Sequence, residues 1–304
     1  MQNHFSLERH AVIWNGKTLS FQTLHKIMAQ SRWGAVLRSI IRFEQHRPEK
    51  EVSPEIWAKT IGANGNDLDH QVRAARIMAK WVNCICTLDR DSKATLVLTE
   101  IFHDCGEAAT PWGDIHFGNK TTTQAAEELH ALRKVLTDIF NQAGYPGLGQ
   151  HIHAKISPVL DHSNPALTKI HRLLTYSDHF HTALRVWNTA KLHNSEPMLH
   201  AGLIKLTYNV FGGTLAWIIE NQKFMPIQTM LLKKRLVIEE VFKELNYMPP
   251  PVIDLYERQK NNSSIEARLR FINAMRAWDN WTQNNLPILV QNDEQTPADL
   301  AFQS

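Results

Sequence analysis

Residues 99–115, TEIFHDCGEAATPWGDI, put an imidazole and a carboxylate on successive positions, His103 and Asp104, at the end of the apolar run 96–102. Such a doublet says little by itself, because the reversed pair also occurs at Asp69-His70, Asp161-His162 and Asp178-His179. The order around it says more. His70 lies upstream, Glu107 follows Asp104 by three residues, Gly113-Asp114-Ile115 comes next, and Asp178 falls in a later helical segment. Imidazole nitrogens and carboxylate oxygens together make a mixed donor set suited to a borderline or hard divalent ion. A further carboxylate beside such a set can orient water or take its proton.

A buried helix is the element that could deliver His103 and Asp104 to the floor of a cavity, and residues 94–102 are nearly all apolar, as such a helix requires. The helix before it is expected to start at Asn66 or Asp67, whose side-chain oxygen can cap it. It continues through Leu68, Val72, Ala75, Ala79, Val82 and Cys86, with His70 in its first turn. Upstream, residues 11–21 read AVIWNGKTLSF, two apolar runs meeting at Asn15-Gly16, which predicts a β-hairpin. From 22 to about 44, Leu24, Ile27, Met28, Val36, Leu37, Ile40 and Ile41 fall at helical spacing and predict two helices broken at Trp33-Gly34. Residues 45–66 are turn-rich and are expected to border the site. Downstream, residues 121–142 carry Ala126, Leu129, Leu132, Leu136, Ile139 and Phe140 on one face of an amphipathic helix. A Gly/Pro loop follows, then the segment 151–160, whose structure the pattern leaves open, and Asn164-Pro165 opens the helix that carries Asp178.

Beyond Pro197 the character changes: half of the sixteen histidines lie in 151–200 and none lies later, so histidine chemistry belongs to the first two thirds. The rest is expected to be helical, as 198–221 interrupted by Gly212-Gly213, 226–246 and 264–284, with Met248-Pro249-Pro250-Pro251 as a boundary and a poorly ordered polar tail after Pro287. The fold class is predominantly all-α, with a small amino-terminal hairpin. Three regions are expected: hairpin and helices in 1–66, a core with the site in 67–197, and a helical extension in 198–304.

At 304 residues, 43% hydrophobic and 21% charged, the chain can bury a full core. A net charge of +3 argues against extended nucleic acid as partner, while a pI near 8.7 allows a local basic pocket. The opening MQNHFSLERH has neither a basic n-region nor an apolar h-region, and no window approaches a membrane span, so a cytoplasmic location is expected. Cys84, Cys86 and Cys105 are too few for a disulfide framework and lack CxxC spacing, and are read as core thiols.

His…His-Asp…Asp is the ligand order of the HD-domain metal phosphohydrolases, and the chain resembles that superfamily over roughly residues 68–187; HDxxE followed by GD is most similar to the bacterial 5'-deoxynucleotidase branch. The resemblance implies an HD-domain helical fold with one divalent ion (Mn, Co, Fe, Ni or Zn) held by His70, His103, Asp104 and Asp178. It also implies catalytic roles for two carboxylates: Glu107 orients or deprotonates water, and Asp114 serves as acid for the leaving oxygen or as an outer orienter. Seven positions separate Glu107 from Asp114, more than in that branch, and Ser177 replaces a small residue of the closing motif in Tyr176-Ser177-Asp178-His179. The arginine and aromatic residue with which the branch selects phosphate and base lie upstream of its first His; Arg32-Trp33 is too distant from His70 to be assigned that part. The implied activity is hydrolysis of a nucleotide monophosphate or similar small phosphate ester. Two alternatives stand beside it. One is a binuclear HD-type phosphodiesterase acting on cyclic nucleotides or nucleic acid, with His130 and His153 toward a second metal. The other is a non-catalytic HD-fold module that binds a protein through residues 225–245, rich in Met, Leu and Ile beside Lys233-Lys234-Arg235; internal packing or a homodimer would use the same face.

Overall fold

Asn15 and Gly16 take positive φ, 48° and 75°, as a two-residue hairpin turn requires. They join β1 (Ala11–Trp14) to β2 (Lys17–Ser20) in an antiparallel pair with Val12 opposite Leu19. A computed structural model describes residues 5–62, 65–113, 120–259 and 263–293, with side chains through 285, and this hairpin is the only sheet among the described residues. Two helices follow, α1 (Phe21–Gln30) and α2 (Arg32–Ser39). The break lies at Ser31, not at Trp33-Gly34: Ser31 ends α1, and its hydroxyl caps α2 by accepting from the Gly34 amide. Gly34 belongs inside α2, where a Cβ would stand 2.4 Å from the Met28 carbonyl oxygen. Part of the turn-rich region forms α3 (Pro54–Ile61) behind a Ser53 cap.

The next helices frame the predicted chemistry. α4 (Asp67–Cys84) starts as expected, with the Asn66 side chain accepting from the Asp69 amide. α5 (Arg90–Phe102) begins a turn before the apolar run because Asp89 caps it through the Ser92 amide. A 3-10 stretch, His103–Ala109, continues from its end. α6 (Thr122–Gln142) opens on a reciprocal Thr121/Gln124 capping box. The segment left open in sequence is helical, α7 (Leu148–Leu160), and α8 (Pro165–Leu192) carries Asp178. In the last third, α9 (Pro197–Glu220) runs unbroken through Gly212-Gly213. α10 (Met225–Glu244) and α11 (Pro250–Gln259) follow, the latter starting within the proline run read as a boundary. α12 (Ser264–Asp293) extends past Pro287, where disorder was expected. Gly212 serves packing: a Cβ there would meet the Phe271 amide nitrogen of α12 at 3.0 Å.

The chain is predominantly α-helical and divides into two compact units, Met1–Asp178 and His179–Ser304. In the first, α5 is buried on every side from Thr95 to Phe102 and packs with α4, α6 and α7 around Met78, Val82, Ile101, Val135, Phe140 and Ile152. Phe102 meets Phe140 edge to face at 5.9 Å. In the second, α9 packs against α11 and α12, and Phe271 lies 4.7 Å from Tyr208 and 5.4 Å from Phe242. Of the cysteines only Cys105 is a core thiol; Cys84 and Cys86 are exposed. No described helix is long and apolar enough to cross a membrane.

Candidate metal centre

The first turn of α4 presents His70, and the end of α5 presents His103 and Asp104. They meet because the 3-10 stretch presses against α6 at Gly106, where a Cβ would stand 2.3 Å from the Glu128 carbonyl oxygen and 2.9 Å from its Cγ. Any side chain there would lift the stretch, and His103 and Asp104 with it, from their place beside His70.

Among the described residues, His70, His103 and Asp104 are a group able to hold an ion, each offering one ligand atom within 4.8 Å of the others. An ion about 2.1 Å from each donor needs donor separations of roughly 4 Å or less, so a contraction of at most about 0.8 Å closes the group on it. The orientation of both rings fits that use. His103 Nδ1 lies 3.1 Å from the Glu100 carbonyl, which can only accept, so Nδ1 carries a proton and Nε2 faces Asp104 Oδ1 at 3.1 Å. His70 has its Nδ1 3.4 Å from Asp178 Oδ2 and its Nε2 3.6 Å from Asp104 Oδ2. Two Nε2 atoms thus converge on one buried carboxylate. Burial opposes charge on His103, yet Asp104 and then Glu100 outweigh it and raise the imidazole to about 9. Burial, reinforced by Arg42, holds His70 below the usual imidazole range. Burial disfavours the Asp104 anion, but His103 and Arg42 keep its carboxyl well below the usual carboxylate range. The pair His103-Asp104 therefore holds a proton where a divalent cation would replace it.

Arg42 is a residue the sequence reading did not assign. It is 4% exposed, and its Nη1 lies 3.0 Å from Asp104 Oδ2 and 3.7 Å from Asp67 Oδ1. The backbone fixes it there: Ile41 bridges Asn66, the cap of α4, and the Arg42 amide donates to the Gly65 carbonyl at 3.1 Å. Phe43 follows in the left-handed region at φ 58°, uncommon for a residue with a side chain, and its ring lies 5.4 Å from the guanidinium. Arg42-Phe43 is an arginine and an aromatic residue upstream of His70, with a long loop and α3 between; that interval hides the pair in sequence.

Glu107, 3% exposed, sits one turn past Asp104, with Lys120 Nζ 3.4 Å from its Oε1; Lys120 also pairs with Glu128. Burial works against the Lys120 ammonium, but Glu107 and Glu128 raise its pKa above that of a free lysine. Behind His103, the buried Glu100 accepts from His171 Nδ1 at 2.7 Å, and the His171 ring is 5.8 Å from that of His103. Lys120, Glu128 and His171 were missed because each reaches the centre from another part of the chain, and Glu100 because it sits within the apolar run one turn before His103.

Asp178 lies outside the group of three; it faces the Nδ1 edge of His70 and pairs with Arg73 at 3.2 Å. His130 is exposed on α6, and His153 is half-buried with Nε2 3.3 Å from the Leu129 carbonyl; neither joins the group. Asp114 lies outside the described residues. No protein-family model, curated protein or solved structure matches the chain.

Proposed function

We propose that the protein is a divalent-metal-dependent phosphohydrolase acting on a nucleotide monophosphate or a similar small phosphate ester, as its resemblance to the HD-domain superfamily implies. The observation that carries this reading is the convergence of His70 Nε2 and His103 Nε2 on the buried Asp104 carboxylate, with the Arg42 guanidinium 3.0 Å away. His70, His103 and Asp104 would hold the ion, with Asp178 closing the set or orienting His70. When bound, such an ion supplies Lewis acidity toward a phosphoryl oxygen and toward water. Arg42 offers a planar fork of donors to the remaining phosphoryl oxygens. Glu107, with the Lys120 ammonium 3.4 Å from its Oε1, would receive the proton of the attacking water. The water oxygen bonds to phosphorus, the ester P–O bond breaks, and the leaving oxygen takes a proton, the part the resemblance gives to Asp114.

His171 supports a second reading, a binuclear centre. Its ring lies 5.8 Å from His103, and it shares Glu100 with that residue. The metal-to-protein ratio after purification separates one ion from two.

A hydrolysis screen over nucleoside mono-, di- and triphosphates and cyclic nucleotides, each with Mn²⁺, Co²⁺, Fe²⁺, Ni²⁺ or Zn²⁺, tests the main reading. Phosphate release from a monophosphate that disappears in His103→Ala is expected. Absence of turnover with every ion, or turnover that survives His103→Ala, would overturn it.

A further inference from the structure

The first unit holds a second concave site, a cavity of about 330 Å³ between the amino-terminal segment and the junction of α4 with α5. That volume lies at the lower end of small-molecule sites, roughly 300–1,000 Å³. Three cations line it, Arg9, Arg90 and Lys93, and no carboxylate does. None of the three forms an ion pair among the described residues, although the chain as a whole is nearly balanced, with 33 basic and 30 acidic side chains. Of the acids nearest in sequence, Asp89 caps α5 through Ser92 and Asp91 pairs with Lys155, while Glu8, beside Arg9, is exposed and does not line the cavity.

The opposite wall is rigid. Phe5 is buried and stacks on His10, ring centroids 3.7 Å apart and planes 15° from parallel. The Asn83 side chain clamps the Phe5 backbone from both ends, accepting from its amide at 2.7 Å and donating to its carbonyl at 3.0 Å. Burial, and to a lesser degree the charge on Arg90, holds His10 below the usual imidazole range against a Ser6 backbone hydrogen bond. The positive character of the lining comes from Arg9, Arg90 and Lys93. α5 runs from this cavity to His103 over 13 residues, about 20 Å of helix, so the cavity is distinct from the metal centre.

We infer that this cavity binds a small phosphate-bearing anion, its oxygens taken by Arg9, Arg90 and Lys93. The chemistry is that of a phosphoryl dianion, supplied by free phosphate or by a phosphate monoester.

The test uses the full chain carrying His103→Ala in the presence of chelator, so that neither turnover nor the metal centre contributes. Binding of inorganic phosphate and of adenosine monophosphate is measured by calorimetry and by the NMR shift of the His10 ring protons. Saturable binding that moves the His10 signals is expected, weakened roughly tenfold or more by Arg90→Gln/Lys93→Gln, since each charge-assisted hydrogen bond lost costs about an order of magnitude. Lys59→Gln, at an exposed cation of α3 outside the cavity, should leave it unchanged. Tighter binding of the monophosphate identifies an ester as the ligand, and equal binding identifies free phosphate; both uphold the site. Absence of saturation at millimolar concentrations, binding indifferent to Arg90→Gln/Lys93→Gln, or binding confined to an oligonucleotide would overturn it.

Discussion

Arg42 stands between two buried carboxylates, 3.0 Å from Asp104 and 3.7 Å from Asp67, and so does for the metal-free centre part of what a divalent cation would do. Arg42→Met removes the guanidinium while keeping much of its volume, leaving Asp67 and Asp104 without that cation. Breaking a buried pair from one side typically costs about 3–5 kcal/mol. Denaturant unfolding of Arg42→Met with chelator should show a loss of that order, and added Mn²⁺ or Zn²⁺ should restore more of it than it adds to wild type. A loss below about 1 kcal/mol, the scale of an exposed ion pair, would mean that Arg42 does not balance the centre. Glu107 gives the complementary case. Glu107→Gln should keep metal content and substrate affinity while turnover falls by about 10²–10⁴, the range for a general base. A change within a factor of about three would remove it from the chemistry. Of the residues named from sequence, the three that come together as a candidate ion site are His70 and the His103-Asp104 doublet of the local motif HDCGE, while Asp178 faces the far edge of His70 and His130 and His153 stay apart. Arg42, Lys120 and His171 carry no such signal, since only chain folding brings them to the same few ångströms, and Glu100, one turn before His103, lay unread within the apolar helix.

At the scale of elements, the 3-10 stretch and α6 touch at Gly106, and the centre depends on that approach. Gly106→Ala places a methyl against α6 backbone that cannot move aside as a side chain can, with an expected cost of about 1–3 kcal/mol. Because His103 and Asp104 ride on the same stretch, metal affinity should fall in parallel; calorimetric titration with Zn²⁺ and thermal unfolding read the two effects. An alanine variant with unchanged melting and metal affinity would show that the approach is not needed. In sequence Gly106 was only an unspecified position within HDxxE. Some element starts were legible from a capping side chain, as at Asn66, or from a turn type that demands its residues, as at Asn15-Gly16, while the caps at Ser31 and Asp89 were not. Glycine misled twice. Gly34 and Gly212 looked like breaks, yet both allow close approach inside continuous helices, a matter of tertiary packing that local pattern does not record. Serine was the true punctuation at Ser31, where one residue ends α1 and caps α2.

At the scale of the molecule, every residue of the candidate centre falls within Met1–Asp178, and α9 to α12 lie in the other unit. A ligand that binds only the folded state adds about 2.7 kcal/mol at a hundredfold excess over its Kd. That gain should appear where the ligand binds. Hydrogen exchange with and without Mn²⁺ should show added protection in α4, α5 and the His103–Ala109 stretch, with α9 to α12 unaltered. Equal protection of both units would contradict a local centre. The helical class and the hairpin were readable from periodicity and turn chemistry, whereas the division at Asp178, inside the continuous helix α8, leaves no mark in composition. The central claim is that His70, His103 and Asp104 hold a divalent ion needed for phosphate-ester hydrolysis. Its most direct test is elemental analysis and turnover on the same preparations of wild type and folded His103→Ala. Near-stoichiometric metal with phosphate release in wild type, and loss of both in the variant, is the predicted result; full metal occupancy in His103→Ala would contradict it.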